Sequence, residues 1–358
     1  MSAESKTLTI REVRADESER WDEFVAAAPN GHILQSWAWG QFKARYGWQP
    51  VRLALEDDGR FRAGAQVLLR SQFGVTLAYV PRGPVAMGED PEAYVRLLQA
   101  LHRLARSRHS IFLKVEPNEP AGSPVADLLR QEGFVRSSHT VQPRATLFTD
   151  LRGGPDAVFA RLKKKTRANI RRAERRGVQV RLGDREGDFE RFFELMAATG
   201  DRAEFPVRSL RYYRSVFEEF HPRNQAELMI AELEGKIIAA SMVFAYGREG
   251  VAMYGASDSA HWREYPNYIR HWRAMEWCMS KGCERYDLWG VPQHAVEESA
   301  DDAAADEDRP EGEGGLWGVY RFKRQFGDMP VLYVGAFDYP YIRPLYLLWS
   351  HLRRNEEP

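Results

Sequence analysis

The sequence predicts an α/β protein of two domains that share one order of elements, with mixed central sheets flanked by helices. Three observations lead to this fold class. The chain has 358 residues, enough for about two domains of roughly 150 residues each. Strand-like and helix-like hydrophobic patterns alternate along it. Each half also runs through two helices, a set of antiparallel strands, a further helix and a further strand, so we expect an ancient duplication.

The elements of the first half follow from hydrophobic period and turn residues. Asp58-Gly59 is a strong hairpin turn between two strands. Gly133 is a typical residue for ending a helix. In order, we predict a strand at Leu8–Val13, helices at Ser18–Ala28 and Trp37–Tyr46, strands at Val51–Glu56, Gly64–Ser71 and Thr76–Val80, a helix at Pro91–Arg106, a strand at Ile111–Val115, a helix at Val125–Glu132, and a strand at Ala145–Thr149 that closes this half.

The second half repeats this order, with a hairpin turn at Glu234-Gly235 and a helix stopped by Gly282. We predict helices at Asp156–Arg176, Asp188–Thr199, Ser209–Phe220 and Asn267–Lys281, and strands at Val178–Leu182, Ala226–Leu233, Lys236–Ala245, Gly250–Ala256 and Tyr286–Trp289.

The formal net charge of zero conceals two opposed blocks. Arg161–Arg176 carries nine Lys/Arg and one Glu in sixteen residues, whereas Glu297–Glu313 carries nine Asp/Glu and one Arg in seventeen. A zero sum argues against attraction of the whole surface to nucleic acid or an anionic membrane, but it does not exclude a local patch. We interpret residues 296–315 as a disordered surface loop.

The basic block has the pattern of an amphipathic helix ended by Gly177. Its apolar face consists of Phe159, Leu162, Thr166, Ile170 and Ala173, and its basic side of Lys163, Lys164, Arg167, Arg171 and Arg175. Solvated helix faces usually mix the two signs of charge, so this side indicates anion binding. RNA backbone, phosphate and pyrophosphate all remain open as ligands.

Several functional classes are not supported by the sequence. It contains no nucleophile elbow, P-loop, dinucleotide fingerprint, zinc signature or acetyltransferase pyrophosphate turn, and we expect neither a metal nor an organic cofactor. Cys278 and Cys283 are too few for a disulfide framework. We find no signal peptide and no run of 18 apolar residues, and therefore expect a cytoplasmic protein.

Six collinear segments between about residues 8 and 345 resemble the FemABX family of non-ribosomal peptidyltransferases. These segments are HILQSWAWGQFKARYGWQP, YVPRGPV, LKKKTRANIRRAERRGV, YGASD, YPNYIRHWRAMEWCMSKGCERYDLWGVP and GVYRFKRQFG. The resemblance implies transfer of an amino acid from aminoacyl-tRNA to the stem peptide of a peptidoglycan precursor. It also implies two GNAT-like domains in tandem. Many family members carry a long helical-hairpin arm in the second domain, and the sequence predicts none here.

The expected domains are residues 1–152 with 330–358, and residues 153–329. Aminoacyl transfer uses an ester that is already reactive, so positioning and an oxyanion donor can replace a catalytic triad. Lys323, next to Phe322, is the expected oxyanion donor. The family comparison implies that Glu116 lies near the acceptor amine, where it orients the amine or accepts its proton.

The resemblance also implies a set of substrate contacts. Lys43 lies one helical turn after Trp39 and suits a phosphate beside an apolar wall. Arg208 with Tyr212 is the expected pair for precursor phosphate or peptide, and Arg211 is its rival. Tyr254 is a further expected substrate contact.

Asp258 and Asp287 remain open as either bases or structural caps. The basic helix has the tRNA acceptor stem as its expected partner. The tail Tyr339–Leu352 either packs on the first domain, which we favour, or touches the inner membrane face. We expect a monomer. Two alternatives stay open: an acyl-CoA-dependent N-acyltransferase, and a non-catalytic RNA- or envelope-binding protein.

Overall fold

The computed structural model describes residues 8–72, 74–88, 90–203, 206–298 and 316–354. The contacts divide the chain into two units. One contains the residues up to Arg144 together with those from Tyr333 onward, and the other runs from Ala145 to Leu332. Each unit has its own mixed sheet with helices packed on it, which confirms the predicted fold class.

In chain order, the strands are β1 (Thr9–Glu12), β2 (Gln49–Asp57), β3 (Arg60–Gln72), β4 (Val75–Pro81), β5 (Val85–Ala86), β6 (Ser110–Glu116), β7 (Val135–Arg136), β8 (Ala145–Asp150), β9 (Gln179–Leu182), β10 (Ala226–Leu233), β11 (Lys236–Tyr246), β12 (Glu249–Ser257), β13 (Arg285–Asp287), β14 (Met329–Leu332) and β15 (Phe337–Pro340). The helices are α1 (Ser18–Ala27), α2 (Trp37–Ala44), α3 (Pro91–Ser107), α4 (Val125–Gln131), α5 (Gly154–Arg161), α6 (Lys164–Arg175), α7 (Asp188–Ala203), α8 (Leu210–Phe220), α9 (Pro266–Ser280), α10 (Gln293–Glu298), α11 (Leu316–Lys323) and α12 (Arg343–Arg354).

The two sheets repeat one plan. The first has the order β1-β2-β3-β4-β6-β15-β7, and the second, counted from its other end, β9-β10-β11-β12-β13-β8-β14. Each begins with four antiparallel strands and continues with a parallel pair, β4 with β6 and β12 with β13. An antiparallel strand then follows, β15 in the first sheet and β8 in the second. The duplication is therefore visible as strand order.

Local sequence explains the turns that set this plan. Asp58 and Gly59 have φ values of 47° and 68°, and Glu234 and Gly235 have 50° and 77°. Two successive residues of positive φ form the tight turn that matches the twist of a hairpin. Both hairpins therefore lie where the sequence predicts them, and each fixes the register of the central antiparallel strands.

Strand β8 differs from the prediction that Ala145–Thr149 closes the first half. It pairs with β13 and β14 and so belongs to the second sheet. Five of its six residues are buried, as expected for an inner strand covered on both faces. The equivalent position of the first sheet is taken by β15, from the end of the chain.

The predicted helix Asp156–Arg176 is two helices, and the prediction of one continuous helix was wrong. Leu162 and Lys163 have ψ values of 147° and 144°, which break the helix between α5 and α6. The guanidinium of Arg167 donates to the carbonyls of Ala160 and Leu162, at 2.7 and 2.5 Å. These contacts satisfy backbone acceptors at the helix end that would otherwise lack partners.

The C-terminal segment packs on the first unit, as we favoured. Strand β15 joins its sheet, and the rings of Tyr346 and Trp349 on α12 lie 5.4 and 4.5 Å from that of Phe112. Among the described residues, no helix combines the length and apolar character needed to cross a bilayer. Cys278 and Cys283 are both buried free thiols.

Candidate functional site

Lys323 lies at the end of α11 with its ammonium group directed at backbone oxygens. Its Nζ donates to the carbonyls of Trp289 (3.1 Å) and Gly290 (2.8 Å), in the loop that follows β13. Burial lowers the pKa of Lys323 to about 8, against the opposing charge of Asp287. The site thus holds a cation that is oriented by two dipoles and retains donor capacity for a third partner.

Asp287 fixes the loop that carries these two carbonyls. The side chain is 1% exposed and accepts hydrogen bonds from the Trp289 backbone N–H (2.7 Å) and from the Thr146 hydroxyl. Trp289 has a φ of +64°, which is uncommon for a residue with a side chain. Of the two roles left open for Asp287, the structure therefore supports the structural one.

An aromatic layer is built around Phe322, the residue before Lys323 in the chain. The ring of Phe322 lies 5.5 Å from Phe326, 5.2 Å from Tyr268 and 5.5 Å from His271. Burial places the pKa of His271 well below its ordinary value, so the imidazole is neutral at physiological pH. Sequence reasoning missed His271, because a single histidine in an apolar helix carries no spacing signal.

A second cluster in the same unit brings together three predicted residues. The Arg208 guanidinium lies 5.7 Å from the ring of Tyr212, and burial with a hydrogen bond to Tyr212 raises the pKa of Tyr254 well above normal. Tyr213, which the sequence did not single out, packs 5.1 Å from Tyr254. Its hydroxyl also accepts the Arg208 backbone N–H at 3.2 Å. Arg208 and its rival Arg211 are both exposed, so the choice between them stays a prediction.

Asp258 caps a turn, which is the structural one of the two roles left open for it. Its carboxylate accepts the Ala260 backbone N–H (2.9 Å) at the start of a turn, and it lies 3.5 Å from the Arg191 guanidinium. An N-terminal cap of this kind satisfies a backbone donor of the turn.

In the first unit, Lys43 lies among three indole and phenyl rings. Its Nζ is 5.7 Å from the ring centroids of Trp39 and Phe42 and 6.0 Å from that of Trp48. Trp48 also carries the guanidinium of Arg70 at 5.6 Å, a second cation that the sequence did not predict. Two cations beside aromatic walls make this surface suitable for an anionic group.

Glu116, at the end of β6, is enclosed by donors. It accepts the Tyr79 hydroxyl, the Val141 backbone N–H (2.6 Å) and the Gln142 backbone N–H (3.2 Å). The Gln142 side chain in turn donates to the Tyr79 hydroxyl at 2.9 Å. The residue is 3% exposed, and burial raises the pKa of its carboxyl group.

The basic helix α6 buries the predicted apolar side, with Thr166, Ile170 and Ala173 nearly inaccessible. Its start is fixed to the segment after Lys323: Lys163 Nζ donates to the Arg324 carbonyl (2.8 Å), and the Thr166 hydroxyl to that of Gln325 (2.7 Å). The basic side chains expected to bind anions divide accordingly. Lys163 and Arg167 donate hydrogen bonds within the chain, and the Arg171 guanidinium lies 5.3 Å from the ring of Phe159. Lys164, Arg171 and Arg175 are exposed.

The acidic loop lies outside the described residues, except for its first residues at the end of α10. The predicted absence of a long helical arm concerns the segment of α7 and α8. These helices have 16 and 11 residues, with residues 204 and 205 between them outside the described part.

Comparisons with known proteins agree with both halves of the architecture. The FemAB family model matches residues 17–123, and a model described as an acetyltransferase (GNAT) domain matches residues 160–304. The crystal structure of FemX superposes with a TM-score of 0.82 at 23% identity, covering 96% of this chain and all of that one. A tandem GNAT protein from the clavulanic acid pathway gives 0.55 at 12% identity, covering 93% and 98%.

Curated relatives extend the likeness over most of the chain. A protein of Staphylococcus haemolyticus named Lipid II:glycine glycyltransferase is 24% identical over 412 residues, covering 94% of each chain. A protein of the same name from Staphylococcus aureus is also 24% identical, with the same coverage. The fold and the matched domains define an acyltransferase built from two GNAT-like domains. Within that class, the FemAB family model, the curated glycyltransferases and the FemX structure support a member of the FemABX family.

Proposed function

We propose that this chain is an aminoacyltransferase that adds an amino acid from aminoacyl-tRNA to the stem peptide of a peptidoglycan precursor, acting as a monomer in the cytoplasm. The observation that carries the proposal is the Lys323 ammonium, held by two backbone carbonyls and following Phe322 of the aromatic layer in the chain. Relatives of matching length named Lipid II:glycine glycyltransferase support a peptidoglycan precursor as the acceptor.

The proposed reaction is an aminolysis. The acceptor amine attacks the ester carbonyl, the new C–N bond forms, the bond to the ribose oxygen breaks, and the amine proton ends on that oxygen. Charge develops on the carbonyl oxygen in the tetrahedral intermediate. A preorganised cation at that oxygen lowers the barrier, because it is already oriented before the charge appears. Lys323 supplies that cation in this proposal.

For Glu116 we propose a positioning role, because its carboxylate is occupied by the Tyr79 hydroxyl and by two backbone N–H groups. It fixes the loop at Val141 and Gln142. Lys43, Trp39, Arg208, Tyr212, Tyr254 and Phe322 are the proposed substrate contacts. The exposed cations Lys164, Arg171 and Arg175 are proposed to bind the tRNA phosphates.

The outer face of α12 supports a peripheral contact with the inner membrane face, where a lipid-linked acceptor would lie. Leu345, Leu347 and Leu348 are 36, 64 and 56% exposed, while Tyr346 and Trp349 face the first sheet. Exposed leucines on an amphipathic helix partition into the interfacial region of a bilayer. In a vesicle-flotation assay, Leu347→Glu with Leu348→Glu should abolish binding to anionic vesicles. Unchanged flotation would remove this contact.

One assay tests the function. Purified protein is mixed with a precursor and either charged tRNA or acetyl-CoA, and the product is analysed by mass spectrometry. We expect a gain of one amino-acid residue or more from charged tRNA, and its loss after RNase treatment. Lys323→Ala should lower kcat by about 10²–10³-fold, the range for one oxyanion donor. The control variant is Lys281→Ala, which removes a lysine at the end of α9.

The alternatives give different results in this assay. A product from acetyl-CoA alone would make the chain an N-acyltransferase, in line with the matched acetyltransferase domain. RNA binding without any product would leave a non-catalytic binding protein. Either result would overturn the proposed function.

A further inference from the structure

An exposed indole lies at the far end of the basic helix, in the short turn Ser259–Glu264 before α9. Trp262 is 64% exposed, and the guanidinium of the adjacent Arg263 lies 5.1 Å from its ring centroid. Single exposed apolar side chains are common on protein surfaces, so it is the cations beside this indole, rather than its exposure alone, that indicate a ligand. Neither the proposed transfer chemistry nor the substrate contacts above use it.

The turn is tied to the end of α6 by two contacts of one residue. The Arg176 guanidinium donates to the Arg263 carbonyl at 2.5 Å and lies 5.7 Å from the ring of Tyr265. The start of α6 is bound to the segment after Lys323 through Lys163 and Thr166. A helix of 12 residues is about 18 Å long at 1.5 Å per residue. The exposed cations of α6 thus lie between the Lys323 segment and the turn.

A shallow cavity of about 390 Å³ next to the turn carries charges of both signs. It is lined by Arg191, Lys236, Asp258 and His261, among others. The single carboxylate among these four already lies 3.5 Å from Arg191 and caps the turn. Lys236 is exposed at the start of β11, and His261 precedes Trp262 in the chain. On the turn itself, the Glu264 carboxylate lies 3.9 Å from His261.

We infer that Trp262 is a stacking platform for an unpaired nucleobase of an RNA whose phosphates follow α6. This inference rests on the proposed function and adds a specific contact in the single-stranded 3′ segment of the donor. An aromatic face beside a cationic track is the common arrangement of proteins that bind single-stranded nucleic acid, because every base offers a π-face. Arginine beside the indole adds attraction for the phosphates.

The surroundings favour RNA over a lipid surface. Insertion into a bilayer needs several apolar side chains on one face. Among the described residues of this unit, the other exposed large apolar side chains are Leu182 on β9 and Met329 on β14. Neither belongs to the turn or to α6. A solitary indole bordered by cations therefore matches one stacked base.

The test measures binding of uncharged RNA by fluorescence anisotropy, so it does not depend on catalysis. The probes are a short hairpin with an unpaired 3′ tail and the same hairpin with a blunt end. Trp262→Ala should weaken binding of the tailed hairpin by roughly 5- to 150-fold, the range for one base stacked on an aromatic ring. It should leave the blunt hairpin unchanged. Trp262→Phe should retain most of the affinity, and Leu182→Ala serves as the exposed apolar control.

Equal affinity of Trp262→Ala for the tailed hairpin, or equal loss for both hairpins, would overturn the inference. Loss of binding to anionic vesicles with unchanged RNA binding would also overturn it and assign the indole to lipid. The proposed function has its own contradicting result. If no amino acid is transferred but the tailed hairpin still needs Trp262 for binding, the function is wrong and the stacking platform stands. Conversely, if Trp262→Ala transfers the amino acid with an unchanged KM for tRNA, the proposed function is supported and the stacking platform is wrong.

Discussion

Lys323 combines two properties that a cation near a reacting carbonyl needs. Its orientation is set by the carbonyls of Trp289 and Gly290, and its proton is held less tightly than that of a solvated lysine. A donor whose pKa lies closer to the operating pH forms stronger hydrogen bonds with developing negative charge. The loop that presents the two carbonyls depends on the buried Asp287.

The pH dependence of turnover should report the ionisation of Lys323. Because burial lowers its pKa to about 8, the protonated fraction falls as pH rises through this value. We therefore expect kcat to be highest below about pH 8 and to decrease above it. In Lys323→Arg, any remaining activity should lose this decrease, because the guanidinium stays protonated. A kcat that rises through pH 8 would instead indicate a lysine acting as a base.

Glu116→Gln should destabilise the first unit. The amide keeps one oxygen but turns its NH₂ group towards donors, leaving a buried N–H or hydroxyl without an acceptor. Such a loss costs about 1–3 kcal/mol. Denaturant unfolding followed by tryptophan fluorescence measures the change, and Glu132→Gln, at a partly exposed position after α4, is the matched control. Equal stability of the two variants would contradict the enclosed carboxylate.

At the residue scale, the sequence could indicate side chains but not their partners. Lys43 and Trp39 are one helical turn apart, so their contact follows from helix geometry alone. Glu116 and Tyr79 are 37 positions apart, and their hydrogen bond depends on the parallel register of β4 and β6. Pairing across a crossover has no local sequence signal, and for this reason Tyr79 and Gln142 were missed.

At the scale of a whole element, helix α6 was also only partly predictable from the sequence. Its amphipathic period predicts the buried side, and Thr166, Ile170 and Ala173 lie there. The break before it was not predictable from the period, because Leu162 continues the apolar pattern across the break. At the break, the Arg167 side chain donates to the carbonyls of Ala160 and Leu162, a contact that the hydrophobic period does not indicate.

Charge reversal on α6 should weaken RNA binding. We choose Lys164→Glu with Arg171→Glu, because both residues are exposed and neither has the capping contacts of Arg167. The salt dependence of binding should become shallower, by roughly 0.9 in log–log slope for each phosphate that the helix no longer neutralises.

The matched control is Arg185→Glu with Arg248→Glu, which changes the net charge equally at side chains that are 62 and 77% exposed. If both double variants bind RNA equally well, the charge of α6 is a solvated surface and the assignment of the donor to this helix is wrong.

For the whole molecule, the first unit depends on the end of the chain. Strand β15 pairs with both β6 and β7, and its Asp338 lies 2.9 Å from the buried ammonium of Lys114. Removing one partner of a buried ion pair costs about 3–5 kcal/mol, because the other charge remains without compensation. The sequence predicted that β8 closes this sheet. That prediction was wrong because the alternation of residues in a strand does not show which of two sheets the strand joins.

Residues 1–144 alone should therefore fail to fold, whereas the same residues linked to 333–358 should fold. The Tyr333 N–H donates to the Arg144 carbonyl at 2.8 Å, so a short Gly/Ser linker can join the two segments. Near-ultraviolet circular dichroism and a cooperative thermal transition distinguish the two proteins. Residues 145–332 are the control and should fold unaided. A cooperative transition of the unlinked fragment 1–144 would refute the dependence on β15.

The position of β15 also sets an order of events during synthesis. Domains usually fold from the N-terminus as they leave the ribosome. Here the strand that completes the first sheet is translated after every element of the second unit. The second unit can acquire its fold first, while the edge of β6 stays unpaired until β15 has been made. Newly made chains should thus engage chaperones through their N-terminal half. A ribosome that stalls before β15 is translated would hold a chain in which the second unit, although made later, is folded and the first unit is not.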